Sequence, residues 1–187
     1  FSHMNAANVD LKGFTEKFYH KICGGHLAPV LDTLEYLHNE TDVWFEITTL
    51  LIPGENDSPA EIDAMTGWIV SHLGPDVPLH FSAFHPDYRM LDHPKTPVQT
   101  LTRARDLAIS NGINYVYTGN VHDREGGSTY CPACKAQVIE RDWYELGDWQ
   151  LDDQSCCRRC GTWIAGIFDP SPGTWGRRRQ VVKLQGS

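Results

Sequence analysis

Apolar positions alternate between two patterns over the first 124 residues. Short runs rich in β-branched and aromatic residues, the longest being VWFEITTLLI at 43–52, are typical of strands buried in a parallel sheet. Between them, apolar residues recur every three or four positions, which is the spacing of an amphipathic helix. The pattern predicts strands at residues 7–11, 43–52, 79–84 and 113–118, with helices at about 27–40, 58–73 and 96–112.

Two helix starts carry recognisable signals. Ser58 is placed to cap the second helix, Pro59 to occupy its first position, and Glu61 to complete a capping box. Thr96 and Pro97 are expected to open the third helix.

The predicted strand centres follow one another at intervals of roughly 35 residues, which indicates four successive β-strand/α-helix units on a parallel sheet. The predicted fold class is α/β: half of a (β/α) barrel with about four parallel strands, plus a small β-rich zinc-ribbon module. A small open α/β sheet is the alternative for the first part.

The composition changes after Gly126, where glycine, cysteine and tryptophan replace the helical periodicity. We therefore predict a half-barrel domain over residues 7–124, a zinc ribbon over 129–168 and an extended tail over 169–187. Residues 1–6, which begin Phe-Ser-His-Met, are interpreted as a remnant of an expression vector.

Four of the six cysteines form two C-x-x-C pairs. Cys131 with Cys134 and Cys157 with Cys160 place four thiolates at a spacing typical of tetrahedral zinc knuckles, and iron suits the same ligand set. Closed four-sulfur coordination predicts a structural role for the metal. Cys156 is left spare by the C-x-x-C register, and Cys23 is interpreted as structural.

Polar residues follow each predicted strand, where the chemistry of parallel α/β folds collects. These residues are Lys12, Glu55, Asn56, His85, Asn120 and His122, which together form half of a predicted active-site rim, and Asp10 lies at the end of the first predicted strand beside them.

Structural interpretations remain open for these residues. Asp10 and Lys12 are also expected as a surface ion pair, residues 55–57 as a helix start, His85 as a strand cap, and His122 with Asp123 as loop residues. The histidines at positions 20, 26, 38, 72, 80 and 93 are interpreted as surface or packing residues.

The overall charge narrows the function. A net charge of −8 argues against a general nucleic-acid or membrane-surface role, and no apolar run approaches the length of a membrane-spanning helix. Paired cysteines without a secretory signal favour a metal in the reducing cytoplasm.

Several ordered motifs together resemble a known family. VDLKGF, FEITTLLIPGENDS, PLHFSAFHPDYRM, YVYTGNVHD and YCPAC are similar to the C-terminal part of the AmmeMemoRadiSam-system radical S-adenosylmethionine (SAM) enzymes, which are related to pyruvate formate-lyase activating enzymes. The resemblance runs from about Asn8 to Arg179. It implies a partial or complete (β/α) barrel that binds SAM and a [4Fe-4S] cluster.

The resemblance also implies residue roles. Asp10 and Lys12 match a segment lining the SAM pocket, His85 matches a strand-end histidine beside the cofactor, and residues 52–57 match the loop that closes the pocket. Where the activating enzymes carry an arginine upstream of Pro-Gly, this chain reads Glu46-Ile47-Thr48-Thr49. No role is implied for Asn120 and His122 beyond a position suited to substrate or cofactor contact.

The family holds its cluster on a C-x-x-x-C-x-x-C loop, which this sequence lacks. We therefore expect a cytoplasmic C-terminal fragment that is inactive alone, and we assign no catalytic residue to it. SAM and the cluster are expected to bind only in the full-length enzyme. A half-barrel has two unpaired sheet edges, so a homodimer or the missing N-terminal half is expected to cover them.

The alternative function is a zinc-ribbon binding module for nucleic acid or a protein partner. Its basic and aromatic candidates are Arg158, Arg159, Trp163, Trp175 and residues 177–179. The acidity of the chain disfavours nucleic acid.

Overall fold

A computed structural model describes residues 3–169 and 171–173. The chain divides into two compact units, Phe1–Gly126 and Gly127–Ser187. Most of the sequence-predicted tail lies outside the described residues, and so do Trp175 and the arginines at 177–179.

The first unit contains a four-stranded sheet, as the spacing of apolar runs predicts. Its strands are β1 (Ala6–Asp10), β2 (Trp44–Leu51), β3 (Leu79–Ala83) and β4 (Val116–Gly119). They lie in chain order, and every neighbouring pair is parallel. The predicted α/β class with four parallel strands is therefore confirmed, and all four carboxyl ends share one edge of the sheet.

Helices connect the strands. The long ones are α2 (Ala28–Glu40), α3 (Pro59–Leu73) and α4 (Val98–Ser110), and the short ones are α1 (Glu16–Phe18), which continues as a π-helical turn over Tyr19–Cys23, and α5 (Arg124–Gly127). The sequence pattern does not predict α1 or α5, since neither is long enough to show an apolar period.

One face of the sheet is buried and the other is open. Alternate residues of β2 to β4, such as Ile47, Leu79 and Phe81, are fully buried in a core shared with apolar residues of α2, α3 and α4. The intervening residues, including Glu46 and His80, are only half-buried. The period of two in each strand thus separates an apolar face under the helices from a polar face without a helical cover among the described residues.

Three sequence-predicted details differ in the structure. β4 begins three residues later than predicted, because Ile113 donates its N–H to Ala108 at the end of α4 and Asn114 donates to Pro75. The Thr96 side chain does not cap α4, whose N-cap is Pro97. Ser58 does cap α3, but the Glu61 carboxylate accepts from the Phe14 N–H at 2.7 Å and so joins α3 to the loop after β1.

The second unit is a small antiparallel sheet of β5 (Thr129–Tyr130), β6 (Gln137–Asp142) and β7 (Glu145–Trp149). A tight turn with Trp143 at a φ of 56° joins β6 to β7. Four buried aliphatic residues form most of its apolar interior: Val138, Ile139, Leu151 and Ile164. So small a core makes this unit dependent on further cross-linking.

Among the described helices, none combines the length and apolar character that crossing a bilayer requires.

Candidate functional site

The carboxyl edge of the four-stranded sheet is held together by three side chains that bond to backbone groups of neighbouring strand ends. They are Asn56, Thr96 and Asn120. The regular backbone hydrogen bonds between the strands stop before this edge. Beyond that point each of these three side chains supplies a hydrogen bond to the backbone, so the edge keeps a defined shape.

Asn56 is the most buried member of the predicted cofactor set, at 2% exposure. Its Oδ1 accepts from the Ile52 N–H at 2.7 Å, and its Nδ2 donates to the carbonyls of Lys12 and Leu50 at 2.6 and 2.9 Å. These bonds occupy the amide with backbone groups of its own loop and of the segment after β1. Asn56 therefore positions the Pro-Gly loop, and its direct contact with a cofactor stays a prediction.

Thr96 and Asn120 tie the remaining strands. The buried Thr96 hydroxyl donates to the Leu51 carbonyl at 2.6 Å and accepts from the Phe84 N–H at 3.0 Å, which joins the ends of β2 and β3. Asn120, in the left-handed region at a φ of 61°, donates from Nδ2 to the Ala83 carbonyl at 3.2 Å. Asparagine tolerates this backbone conformation better than most residues. Sequence reasoning assigned Thr96 to a helix start and so missed its role at the edge.

Asp10 ends β1 and forms an ion pair with Lys12 just after it, with Nζ 2.8 Å from Oδ2. Both side chains are roughly half-exposed, at 49% and 42%, so the pair contributes little to stability. The pair presents one negative and one positive group at the rim of the sheet, where a ligand with both charges can exchange partners with them.

Glu55 contacts a histidine that the sequence left as a surface or packing residue. His93 Nε2 lies 3.1 Å from Glu55 Oε1, and its Nδ1 lies 2.9 Å from Asp92 Oδ1. Hydrogen bonds that the ring donates to Glu55 and then to Asp92 raise the pKa of His93, while the bond with His93 lowers the pKa of Asp92. The His93 ring, edge-on to Phe84, thus ties the loop after β3 to the Pro-Gly loop after β2.

We expect this tie to depend on pH. A histidine whose pKa is raised by folding stabilises the fold fully below its ordinary value near 6.5, and this stabilisation is lost as the pH rises through the raised pKa. The difference in free energy of unfolding between the parent chain and His93→Gln, measured by urea titration, should be largest between about pH 5 and 6.5 and should shrink as the pH rises further.

His85→Gln is the matched control for that series, since His85 is exposed in the same loop and its Nδ1 contacts the Pro86 carbonyl. Its difference from the parent should be small. A His93→Gln difference that stays constant across the range would contradict the tie.

The other predicted residues of the edge are His85 and His122, both exposed. They follow β3 and β4, so the parallel sheet places them on the same edge as Lys12 and Glu55. Asp123 accepts hydrogen bonds from the Thr118 hydroxyl and the Gly126 N–H, and so begins α5.

An apolar group lies under this edge. Phe18, Tyr19, Ile52 and Phe84 are buried together, and the Tyr19 hydroxyl accepts from the Lys12 N–H at 3.0 Å. Burial raises the pKa of Tyr19. The short helix after β1, which the sequence pattern did not predict, thereby supports the segment that carries Lys12.

The second unit contains a candidate metal centre. The sulfurs of Cys131, Cys134, Cys157 and Cys160 lie within 4.8 Å of one another. Cys131 Sγ is 3.5 Å from Cys160 Sγ, and Cys134 Sγ is 3.8 Å from Cys157 Sγ. A tetrahedral ion with metal–sulfur bonds of about 2.3 Å places its sulfurs about 3.8 Å apart, whereas a disulfide requires about 2.05 Å. The geometry is that of a four-thiolate metal site, and these cysteines are unpaired.

Each C-x-x-C pair is set in a tight turn. The backbone carbonyl of Cys131 accepts from the Lys135 N–H at 3.0 Å, and the carbonyl of Cys157 accepts from the Gly161 N–H at 2.8 Å. Lys135 and Gly161 both have positive φ, at 58° and 75°. These left-handed residues reverse the chain directly after the second cysteine, which brings both sulfurs of a pair to the same point.

The thiols affect one another electrostatically. Hydrogen bonds with the Thr162 side chain and backbone lower the pKa of Cys160 to about 6. A hydrogen bond with the Ala136 backbone lowers the pKa of Cys134, but burial and the neighbouring thiols outweigh it and raise that pKa to about 11. Four thiolates so close together repel, and a divalent cation removes that repulsion.

Cys156 lies outside this group. Its N–H donates to Asp152 Oδ1 at 2.8 Å, and its thiol contacts the Gln154 carbonyl. Cys23 is exposed in the other unit.

Acidic residues outnumber the basic candidates for nucleic-acid binding in the second unit. Residues 127–173 contain four lysines and arginines in total, and seven aspartates and glutamates. Arg158 donates from Nε to the Leu151 carbonyl.

Comparisons with known proteins agree with the fold. No protein-family model matches the chain. It is 43% identical over 159 residues to the uncharacterized protein MJ0808 of Methanocaldococcus jannaschii, and the match covers 84% of this chain. The chain spans about half the length of this relative, 47%.

A solved structure shares part of the architecture. A domain of pyruvate-formate lyase-activating enzyme from Bacteroides vulgatus superimposes with a TM-score of 0.54 at 15% identity, covering 62% of this chain and 68% of that domain. At this identity the likeness establishes the fold.

Proposed function

We propose that this chain is the C-terminal part of a radical SAM enzyme, in which the carboxyl edge of the sheet lines part of the SAM pocket and the four-cysteine centre holds a structural zinc ion. One observation carries the proposal. The motifs DLK, PGEND and AFHPD come in this order after β1, β2 and β3, and the parallel sheet brings them to one edge. The shared fold of the activating-enzyme domain is consistent with it.

The charges at this edge suit the amino-acid part of SAM. Its carboxylate would pair with Lys12 and its ammonium with Asp10 or Glu55, while His85 and Asn120 would offer polar contacts. Asn56 and Thr96 hold the backbone that presents these groups. SAM supplies the adenosyl and methionyl groups; the residues of this chain bind and orient them.

The cysteines of this chain do not fit the iron–sulfur cluster of the family. The sequence has no C-x-x-x-C-x-x-C loop, and among the described residues the grouped cysteines are the two C-x-x-C pairs. We therefore propose that the cluster loop belongs to a longer protein and that this segment alone does not cleave SAM.

The open edges of the four-stranded sheet suggest how this chain meets the N-terminal half of a longer protein. β1 and β4 each lack a neighbour on one side among the described residues, and the polar face of the sheet has no helical cover. Completion of the barrel by the N-terminal half of a longer protein supplies both a partner strand and a lid. A second copy of this chain is the other arrangement that satisfies the edges.

Anaerobic reconstitution tests the proposal. A longer protein containing this segment, loaded with iron and sulfide and given dithionite and SAM, should produce 5′-deoxyadenosine, measured by chromatography. The 187-residue chain treated identically should produce none. Lys12→Ala should weaken SAM binding by about ten- to a hundredfold, since a charge-assisted hydrogen bond contributes about 1.5–3 kcal/mol.

Lys17→Ala is the control, because Lys17 is exposed on α1. Its binding of SAM should equal that of the parent. A reconstituted, cluster-containing protein that never forms 5′-deoxyadenosine would end the enzyme proposal while leaving the zinc site intact.

A further inference from the structure

The open face of the four-stranded sheet has a row of polar side chains in register. Asp10, Thr48, His80 and Tyr117 are consecutive partners across β1 to β4. On a surface with no function, half-buried titratable groups at the centre of a sheet face cost desolvation energy that apolar residues would avoid. Asp10 also belongs to the carboxyl edge described above, whereas Thr48, His80 and Tyr117 lie within the strands.

Glu46 and His80 form a short polar contact on this face. His80 Nε2 lies 2.6 Å from Glu46 Oε2, and the two side chains are 30% and 37% exposed. An ionised carboxylate only accepts hydrogen bonds, so Nε2 carries a hydrogen, and in the neutral form of the ring Nδ1 has the lone pair. The pair has the arrangement in which a carboxylate orients an imidazole for work at its other nitrogen.

The surroundings keep this histidine in place. Its ring stacks on Tyr117, with centroids 4.9 Å apart and planes 26° apart, and Glu46 Oε1 also accepts from the Trp44 indole N–H at 3.4 Å. Within the described part of the chain, Nδ1 has no hydrogen-bond partner, since the one bond of the ring is to Glu46. One nitrogen is thus fixed and the other is available.

There is room for a small ligand on the Glu46 side of the pair. A depression of ≈ 220 Å³ is lined by Ala6, Ala7, Asn8, Trp44 and Glu46. Asn8 Nδ2 donates to the Thr48 hydroxyl at 2.9 Å. A base at Nδ1 of His80 requires a ligand that donates, with a hydroxyl or a protonated amino group.

We propose that Glu46 and His80 are a proton-transfer pair acting on a small polar ligand that presents a hydroxyl or ammonium group to this face. Nδ1 of His80 takes the proton: the N–H bond forms as the O–H or N–H bond of the ligand breaks, and the ligand keeps the electron pair. The charge of the resulting imidazolium is balanced by the Glu46 carboxylate. Glu46 is the positioning residue of the pair. The proposal goes beyond SAM binding, because it depends on this face alone.

Two measurements on the chain test this. Long-range ¹⁵N NMR at about pH 8.5, where imidazoles are generally neutral, reports which ring nitrogen carries the hydrogen. His80 should be in the Nε2–H form, and Glu46→Gln should reduce that preference. Carbethoxylation by diethyl pyrocarbonate, followed by peptide mass spectrometry, reports whether the unprotonated nitrogen reacts. His80 should be modified, and Glu46→Gln should slow its modification several-fold.

Glu35→Gln is the matched control, since Glu35 lies 3.8 Å from His72 in a comparable but more exposed pair. It should leave the tautomer and reactivity of His80 unchanged. A purely structural pair predicts an unreactive His80. That result, or an Nδ1–H tautomer in the parent chain, would overturn the proposal even if Glu46→Gln did not fold.

Discussion

Replacing Cys157 by serine should abolish stoichiometric metal binding and unfold the second unit, whereas replacing its neighbour Cys156 should do neither. The four sulfurs of the cluster include Cys157, which is buried, and exclude Cys156. Loss of one thiolate leaves three ligands in a unit whose apolar interior is small, so metal and fold should be lost together. The two residues are adjacent in sequence, which makes this a stringent comparison.

Elemental analysis and circular dichroism provide the measurements. The parent chain and Cys156→Ser should each contain one zinc ion and show the same thermal transition. Cys157→Ser should contain well below one ion and lose the transition of the second unit. Iron in place of zinc would revise the metal and preserve the site, but full metal content in Cys157→Ser would contradict it.

Replacing Asn56 by alanine should be among the most destabilising single changes in the first unit. It removes an amide that is 2% exposed and leaves the Ile52 N–H and the carbonyls of Lys12 and Leu50 without this partner. Each buried polar group left unsatisfied costs about 1–3 kcal/mol, and partial hydration reduces the sum, so we expect a loss of about 3 kcal/mol in the free energy of unfolding.

Urea unfolding gives that value, with Asn39→Ala as the control because Asn39 is exposed on α2. The control should change stability by less than about 0.5 kcal/mol. If Asn56→Ala were equally mild, the loop would be held by something other than this amide.

The same variant separates two roles for Asn56. If it only positions the Pro-Gly loop, SAM binding by the longer protein should weaken in proportion to the loss of loop order. The sequence places Asn56 among cofactor contacts because of the PGEND motif, while the structure shows each of its amide atoms bonded to backbone. A motif indicates that a residue type is required and does not show which neighbour requires it.

The polar pair on the open face illustrates a second limit. Glu46 and His80 lie 34 positions apart, and each stands in an apolar run where an isolated polar residue is expected to face solvent. Only the register of β2 against β3 brings them to 2.6 Å. His93 was missed for the same reason, since its partner Glu55 is 38 positions away.

The amino-acid sequence by itself determined the features that depend on local periodicity and spacing. These are the four parallel strands, the three long helices, and the two C-x-x-C turns, because apolar period and ligand spacing act over a few residues. Tertiary structure decided which polar groups meet: Thr96 bridges two strands, Glu61 reaches the loop after β1, and His80 pairs with Glu46. Hydrogen-bond partners are set by strand register and loop path, which depend on contacts between segments far apart in the chain.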